Sequence, residues 1–103
     1  MAGKKIPSFN ISLRKGFFKN ELFKMCLSND DVIFECLQDK SKNFTTPLEK
    51  VTKITIYEGK SREIEIRTKD EVIFGNFNST RTLNRAINIF GSFFSEKFSH
   101  VCL

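Results

Sequence analysis

A chain of 103 residues with 40% hydrophobic and 28% charged residues has the size and composition of one soluble globular domain. No apolar run approaches the ~20 residues that a membrane-spanning helix needs, and residues 1–9 lack the apolar core of a secretory signal. The net charge of +5 is concentrated in residues 1–25, which hold six basic residues and one acidic residue, while the rest of the chain holds eleven of each. Such an excess of basic residues favours anionic partners. The alternative interpretation is a solvated surface whose charge is balanced by acidic residues from elsewhere in the fold.

The first part of the chain predicts strands joined by turns. Residues 8–13 alternate apolar and polar side chains with a period of two, which is typical of a half-buried strand. Two apolar, β-prone segments at 22–27 and 32–37 flank the turn formers at 28–31. This arrangement predicts a hairpin.

Further short strands are expected in the middle of the chain. A short segment at 44–47 ends at a proline, which cannot donate a ladder hydrogen bond. Strands follow at about 51–57, 63–67 and 72–77, and Gly75 marks a bulge or a close approach of the backbone. Turn signals every ten residues or so predict a meander of six or seven antiparallel strands.

Residues 79–98 predict an amphipathic helix that covers this sheet. Its apolar residues recur in steps of three and four, which draws one stripe along a helix. The stripe consists of Leu83, Ala86, Ile87, Phe90, Phe94 and Phe98. Asn78 and Ser79 supply side-chain oxygens for an N-cap. Gly91 costs roughly 1 kcal/mol against Ala inside a helix, so either a strand packs closely against it or the helix ends there, and we expect one continuous helix.

Strands followed by one helix predict a mainly β fold with an antiparallel core and a C-terminal helix. We expect a single domain over residues 1–103, with residues 1–7 flexible. The cysteines Cys26, Cys36 and Cys102 are an odd number without a close pair. This spacing fits neither a disulfide framework nor a zinc site and predicts an intracellular, cytoplasmic protein, with the nucleus as the alternative compartment.

Neither a catalytic site nor a cofactor site is predicted. His100 is the only histidine and lies three residues before the last residue, in a region expected to fray. A Ser-His-Asp or Cys-His arrangement is therefore not expected around it. The glycines are isolated and form no phosphate-binding loop, and metal ligands at usable spacing are missing. We expect a non-catalytic protein without a metal or cofactor.

The order of elements resembles the pleckstrin-homology-like (PH-like) superfold, a bent β-barrel or sandwich closed at one end by a C-terminal helix. Residues 22–34 (LFKMCLSNDDVIF) are similar to the second and third strands of GRAM and bacterial PH-like domains. Residues 47–51 (PLEKV) resemble their Ile-Pro-Leu-x-x-Ile step, and 64–70 with 72–74 resemble their fifth and sixth strands. The resemblance covers about 17–98. Prototype PH domains carry a Trp in the closing helix, and its absence here favours the GRAM or divergent branch.

The resemblance implies an interaction module and raises the question of a lipid site. Phosphoinositide-binding PH domains carry a pattern of three basic positions across the first two strands. A Lys comes first, a Lys or Arg follows after several residues, and an Arg follows after one more residue. Lys15 and Lys24 match the first two positions with Lys19 between them, whereas the third position holds Cys26, a weak donor. A polyphosphate headgroup needs several converging cations. Binding of an anionic phospholipid or phosphoinositide is therefore the alternative function. Non-specific attraction to an anionic membrane surface needs fewer converging donors, because each basic residue near the surface contributes ~1 kcal/mol.

A protein or peptide partner is the expected ligand. PH-like folds often dock peptides, and the resemblance extends to the domain that begins a core subunit of a general transcription and repair factor, where a basic surface receives acidic segments. The predicted partner-binding residues are Arg14, Lys15, Lys19 and Lys24. The groove beside the helix is a second surface for apolar anchors, and Tyr57 and Phe93 are either exposed contacts or core residues. Nucleic acid is not the expected partner because Phe and Lys are not interleaved in a stacking motif. Self-pairing through strand edges stays open.

Overall fold

The computed structural model describes residues 7–14 and 20–103. Within them the chain forms eight strands, one α-helix and three short 3-10 helices. The strands are β1 (Ser8–Arg14), β2 (Glu21–Leu27), β3 (Asp31–Cys36), β4 (Phe44–Pro47), β5 (Val51–Glu58), β6 (Arg62–Thr68), β7 (Val72–Phe77) and β8 (Phe98–Cys102). The helix α1 is Thr80–Phe94, and the 3-10 helices are Lys40–Lys42, Leu48–Lys50 and Ser95–Lys97. Residues 1–7 are expected to be flexible, and of these only Pro7 lies among the described residues. Lys15 and Lys19 also lie outside the described residues.

The described strands form one sheet in the order β4-β3-β2-β1-β7-β6-β5-β8. Consecutive strands pair as antiparallel neighbours within β1–β4 and within β5–β7, which makes two meanders. Strands β1 and β7 join the meanders at the centre, from Ile11 opposite Phe77 to Arg14 opposite Phe74. The predicted class, mainly β with one C-terminal helix, is confirmed.

The last strand, β8, replaces the end of the predicted helix. Helix α1 ends at Phe94 rather than Phe98, and Ser95 adopts a φ of 51° with a ψ of −119°, a positive-φ conformation that is uncommon for residues other than glycine. Residues Phe98–Cys102 then pair in parallel with β5. The described part of the chain therefore has eight strands rather than six or seven, and one pairing is not antiparallel. His100 lies inside this strand instead of in a frayed end.

Phe98 explains why a helical spacing misled the prediction. The Phe98 ring packs edge-on against Phe90, with ring centroids 5.9 Å apart. Phe98 therefore contacts the core that the helix covers, although Phe98 itself belongs to a strand. Phe90 is fully buried and also packs against Phe9 at 5.3 Å and Phe94 at 5.5 Å. The helix thus closes the core over β1 and β8. In the described part of the chain, no helix has the length and apolar character needed to cross a membrane.

The glycines at 75 and 91 have opposite surroundings. Gly75 on β7 faces Leu13 on β1 and Ile64 on β6 in the strand register. A Cβ at Gly75 would lie 2.6 Å from Leu13 Cδ2 and 2.7 Å from the Ser12 carbonyl oxygen, so the predicted close approach is confirmed. Helix α1 continues through Gly91, as expected. Apart from the chain neighbours of Gly91 and the backbone of its own helix, no described atom comes within 4 Å of a Cβ placed there, so neither a packed strand nor a helix end accounts for this glycine.

Candidate functional site

The face of the sheet that is turned away from the core carries a groove, called the sheet groove below. Every second side chain of a strand points to this face. Two rows of residues cross the strands in register and line the groove. The first row is Arg14, Phe74 and Glu65, and the second is Asn76, Glu63 and Tyr57. Asn20, Ile64 and Gly75 complete the lining.

Charges in the sheet groove are unevenly compensated. Glu65 accepts a hydrogen bond from Arg67 Nε at 2.5 Å, and Glu63 accepts one from Ser61 Oγ at 2.7 Å. Among residues 7–14 and 20–103, no carboxylate forms an ion pair with Arg14. The groove therefore presents a guanidinium that forms no ion pair with a described carboxylate, and a Glu63 carboxylate that forms none with a described cation.

Two aromatic side chains line the groove, and one of them lies next to this cation. Phe74 occupies the position opposite Arg14 and is 45% exposed, so much of its ring is accessible to a partner. Tyr57 is half-buried at the other side of the groove. The cavity has a volume of about 240 Å³. Pockets that enclose small molecules typically have ~300–1,000 Å³, so the sheet groove has room for one or two peptide side chains rather than for a cofactor.

Two of the four predicted partner-binding residues lie among the described residues. Arg14 lines the sheet groove, and Lys24 lies on the same face of the sheet, on β2. Lys24 is opposite Asn10 and Glu35 in the register. Asn10 and Arg14 are four positions apart on β1, which corresponds to roughly 13 Å along a strand. Arg14 and Lys24 therefore do not converge on one small anion.

Cys26, at the third position of the lipid-binding pattern, follows Lys24 on the same face. Burial, and after it the nearby Glu35 carboxylate, raises the pKa of the Cys26 thiol. A raised pKa keeps the thiol protonated and uncharged near neutral pH. This position adds no charge to a headgroup site.

The helix offers the second predicted surface, a shallow depression of about 360 Å³. Its lining residues Asn88, Ile89, Ser92 and Phe93 all belong to α1. Ile89 and Phe93 are half-buried and pack against the core, and the Phe93 ring contacts Phe94 with centroids 5.0 Å apart. Much of their apolar area is already used within the chain, so this surface offers a partner less than the sheet groove does.

A further group of polar side chains comes together where β8 pairs with β5. Donor atoms of Glu58, His100 and Cys102 all lie within 4.8 Å of one another. Residues 58 and 100 are far apart in sequence, so their spacing gave no sign of a shared site. The only local signal is that His100 and Cys102 are two residues apart, which places them on one face if the segment is a strand.

Comparisons with known proteins place the fold. Neither the models of protein families nor the curated proteins contain a match to this chain. Among solved structures, the chain is similar to a chain in the structure of the Spt16D Pob3N heterodimer, with a TM-score of 0.70 and 17% identity over 96% of this chain. It spans 56% of that chain's length.

A second solved structure gives the same result. The C-terminal domain of an unknown protein from Leishmania infantum matches with a TM-score of 0.70 and 14% identity, covering 88% of this chain and 85% of that one. These likenesses confirm the PH-like fold. Assignment to the GRAM branch stays a prediction.

Proposed function

We propose that this chain is a non-catalytic interaction module that docks a peptide segment of a partner protein in the sheet groove. Arg14 beside the exposed ring of Phe74 is the observation that supports this function best. The bound segment is extended, with a carboxylate facing Arg14 and an apolar side chain against Phe74 and Tyr57. A charge-assisted hydrogen bond and a buried apolar anchor together give both affinity and direction.

The excess of basic residues in 1–25 favours an acidic segment. Arg14 and Asn20 both line the groove, and the sequence between them carries Lys15 and Lys19. A local positive potential raises the encounter rate with acidic partners. Lys15 and Lys19 therefore remain in the proposed site on the strength of the sequence. Lys24, opposite Glu35, contributes to the field rather than to a direct contact.

The fold is compatible with this role. A chain similar to this one is part of a heterodimer, which fits a PH-like fold that assembles with another protein. We take residues 1–103 to be a single PH-like domain. The intracellular location expected from the three cysteines is part of the same proposal.

Binding of anionic phospholipid or phosphoinositide headgroups is the alternative. The described cations Arg14 and Lys24 do not converge. Cys26, on β2, adds no charge at the third position of the lipid-binding pattern. A peptide that needs one cation and one apolar contact asks less of this surface than a polyphosphate does.

The test is a titration of the ¹⁵N-labelled chain with a panel of extended peptides that each combine one acidic and one aromatic position. We expect the amide shifts to change at Phe74, Asn76 and Glu65. Arg14→Glu should weaken binding about tenfold or more, because a hydrogen bond to a charged group contributes ~1.5–3 kcal/mol. Phe74→Ala should also weaken it. Leu37→Ala is the matched control, since Leu37 is a similarly exposed apolar residue, at 51%, that does not line the groove.

Three outcomes would contradict the proposed site. The first is equal peptide binding by the wild type and Arg14→Glu. The second is a set of shift changes confined to α1. The third is the absence of peptide binding together with retention on phosphatidylserine or phosphoinositide vesicles that Lys15→Glu and Lys24→Glu abolish, which would establish the lipid alternative instead.

A further inference from the structure

The parallel pairing of β5 with β8 builds a cluster of three potential metal ligands. His100 and Cys102 are two residues apart on β8 and share one face of the strand. Glu58 lies opposite Cys102 in the register and extends to the same face as Ile54 and Ile56, which are fully buried. The cluster therefore sits at the rim of the core, where the inner face of the sheet opens to solvent.

The donor atoms of this cluster converge. His100 Nε2 lies 2.9 Å from Glu58 Oε1 and 3.7 Å from Cys102 Sγ. All three donor atoms fall within 4.8 Å of one another. In a tetrahedral zinc site the bonds are ~2.0–2.3 Å long, so neighbouring ligand atoms are roughly 3.3–3.6 Å apart. The observed separations lie on both sides of this spacing, and side-chain shifts of about 1 Å would satisfy it.

We propose that Glu58, His100 and Cys102 bind a divalent transition-metal ion, with Zn²⁺ as the best match. Imidazole, thiolate and carboxylate are the ligand types that Zn²⁺ prefers. The thiolate and the carboxylate together balance the charge of the ion, and the thiol proton is released to solvent on binding. Three protein ligands leave a fourth position for water or for an external ligand.

The backbone holds the ligands in place while the ion keeps a path to the site. The β5–β8 ladder fixes the relative positions of Glu58 and His100, and the Leu103 amide donates a hydrogen bond to the Glu58 carbonyl at 2.8 Å. The side chains of His100 and Glu58 are 29% and 36% exposed. Rigid strands position ligands better than loops do, and partial exposure gives an ion access from solvent.

The same geometry argues against a nucleophilic Cys-His-Glu triad. In a triad, one imidazole nitrogen contacts the nucleophile and the other contacts the acid. Here a single nitrogen, His100 Nε2, is nearest to both Glu58 Oε1 and Cys102 Sγ. Three donors that point at one place suit an ion better than a proton relay.

This metal site is independent of the peptide-docking function. Glu58, His100 and Cys102 extend to the inner face of the sheet, whereas Arg14 and Phe74 lie on the outer face. Loss of one activity in a variant therefore leaves the other measurable.

The experiment titrates the untagged 103-residue chain with Co²⁺ in a phosphine reductant and follows its absorption. We expect one Co²⁺ per chain, a thiolate-to-cobalt charge-transfer band in the near ultraviolet, and displacement by Zn²⁺. Cys102→Ser should abolish the charge-transfer band. His100→Ala and Glu58→Gln should each weaken binding by more than about tenfold, because loss of even an outer-shell partner costs ~10–100-fold. Cys26→Ser is the matched control and should keep the full signal, since Cys26 lies on β2.

A second measurement guards against variants that fail to fold. His100 is the only histidine, so its ring gives a single set of imidazole resonances in the wild-type chain. These resonances should shift when Zn²⁺ is added. The proposal is overturned if the His100 resonances do not respond to Zn²⁺, if the wild type lacks the charge-transfer band, or if Cys102→Ser retains that band.

Discussion

The two glycines at 75 and 91 allow one substitution, Gly→Ala, to be tested in opposite directions. At Gly91 an added methyl group meets no described atom within 4 Å outside the neighbouring backbone of its own helix, and the backbone is already helical. At Gly75 the same methyl group would lie 2.6 Å from Leu13 Cδ2 and 3.1 Å from Ile64 Cγ2. We expect Gly91→Ala to stabilise the protein and Gly75→Ala to destabilise it.

The magnitudes follow from these surroundings. Gly→Ala in a helix interior gains about 0.5–1 kcal/mol because the unfolded chain loses conformational freedom. For a domain of this size that gain raises the melting temperature by roughly 2–8 °C. At Gly75 the methyl group falls about 1 Å inside the usual carbon–carbon contact distance of ~3.5–4.0 Å. Overpacking costs ~1–3 kcal/mol, and the preference of strands for Ala over Gly offsets part of it, so the net loss is about 1–2 kcal/mol.

Urea denaturation followed by circular dichroism measures both variants against the wild type. The midpoints should move in opposite directions with unchanged m-values, since neither substitution alters the surface exposed on unfolding. The Ser12 carbonyl oxygen, 2.7 Å from the added methyl group, belongs to a strand paired on both sides and cannot retreat alone. A Gly75→Ala variant as stable as Gly91→Ala would refute the close packing at the β1–β7 seam.

Two further predictions concern a helix cap and an acid-sensitive pair. Ser79→Ala should lower the free energy of unfolding by about 1 kcal/mol, because Ser79 Oγ accepts the hydrogen bond of the Thr82 amide at 3.1 Å. Ser79→Asp should retain most of the stability. Equal urea midpoints for Ser79→Ala and wild type would contradict the role of Ser79 as the N-cap. Hydrogen bonds from Lys42 and then from Cys36 lower the pKa of the Glu21 carboxyl. Its contribution to stability is thus present above the unfolded pKa of about 4.3 and is lost as the pH falls through the lowered folded pKa. The difference in unfolding free energy between wild type and Glu21→Gln should shrink over this range, and a difference that stays constant from neutral to acid pH would contradict it.

The sequence predicts the seven strands that alternate or follow turn formers, because their signals are local. Strand β8 is different. Phe98 falls four residues after Phe94, at the spacing of the helical stripe, and Ser95 takes a positive φ at the helix end without the glycine that usually marks such a position. The β5–β8 pairing that turns Phe98–Cys102 into a strand depends on residues that are remote in sequence.

The candidate sites show the same limit. Arg14 was predicted from charge alone, but its neighbours Phe74 and Tyr57 depend on which residues the strand register places side by side. Lys24 is predicted from charge and from its match to the basic pattern of phosphoinositide-binding PH domains, and its position opposite Glu35 is again a matter of register. His100 carried no functional prediction because the strand that positions it was not expected. Composition and periodicity thus predict the strands and the helix. The candidate sites cannot be predicted in the same way, because they depend on which strands pair and in what register.

The seam between β1 and β7 has a consequence for how the chain folds. Each meander can form from hairpins that close within ~1–10 μs, but the paired residues Ile11 and Phe77 are more than sixty positions apart. Bringing them together carries the loop-closure cost that slows β-rich folds. We therefore expect the two halves to form early and the joining of β1 to β7 to limit the folding rate. Gly75, which lets the backbones approach at this seam, lies where a single methyl group would slow that step.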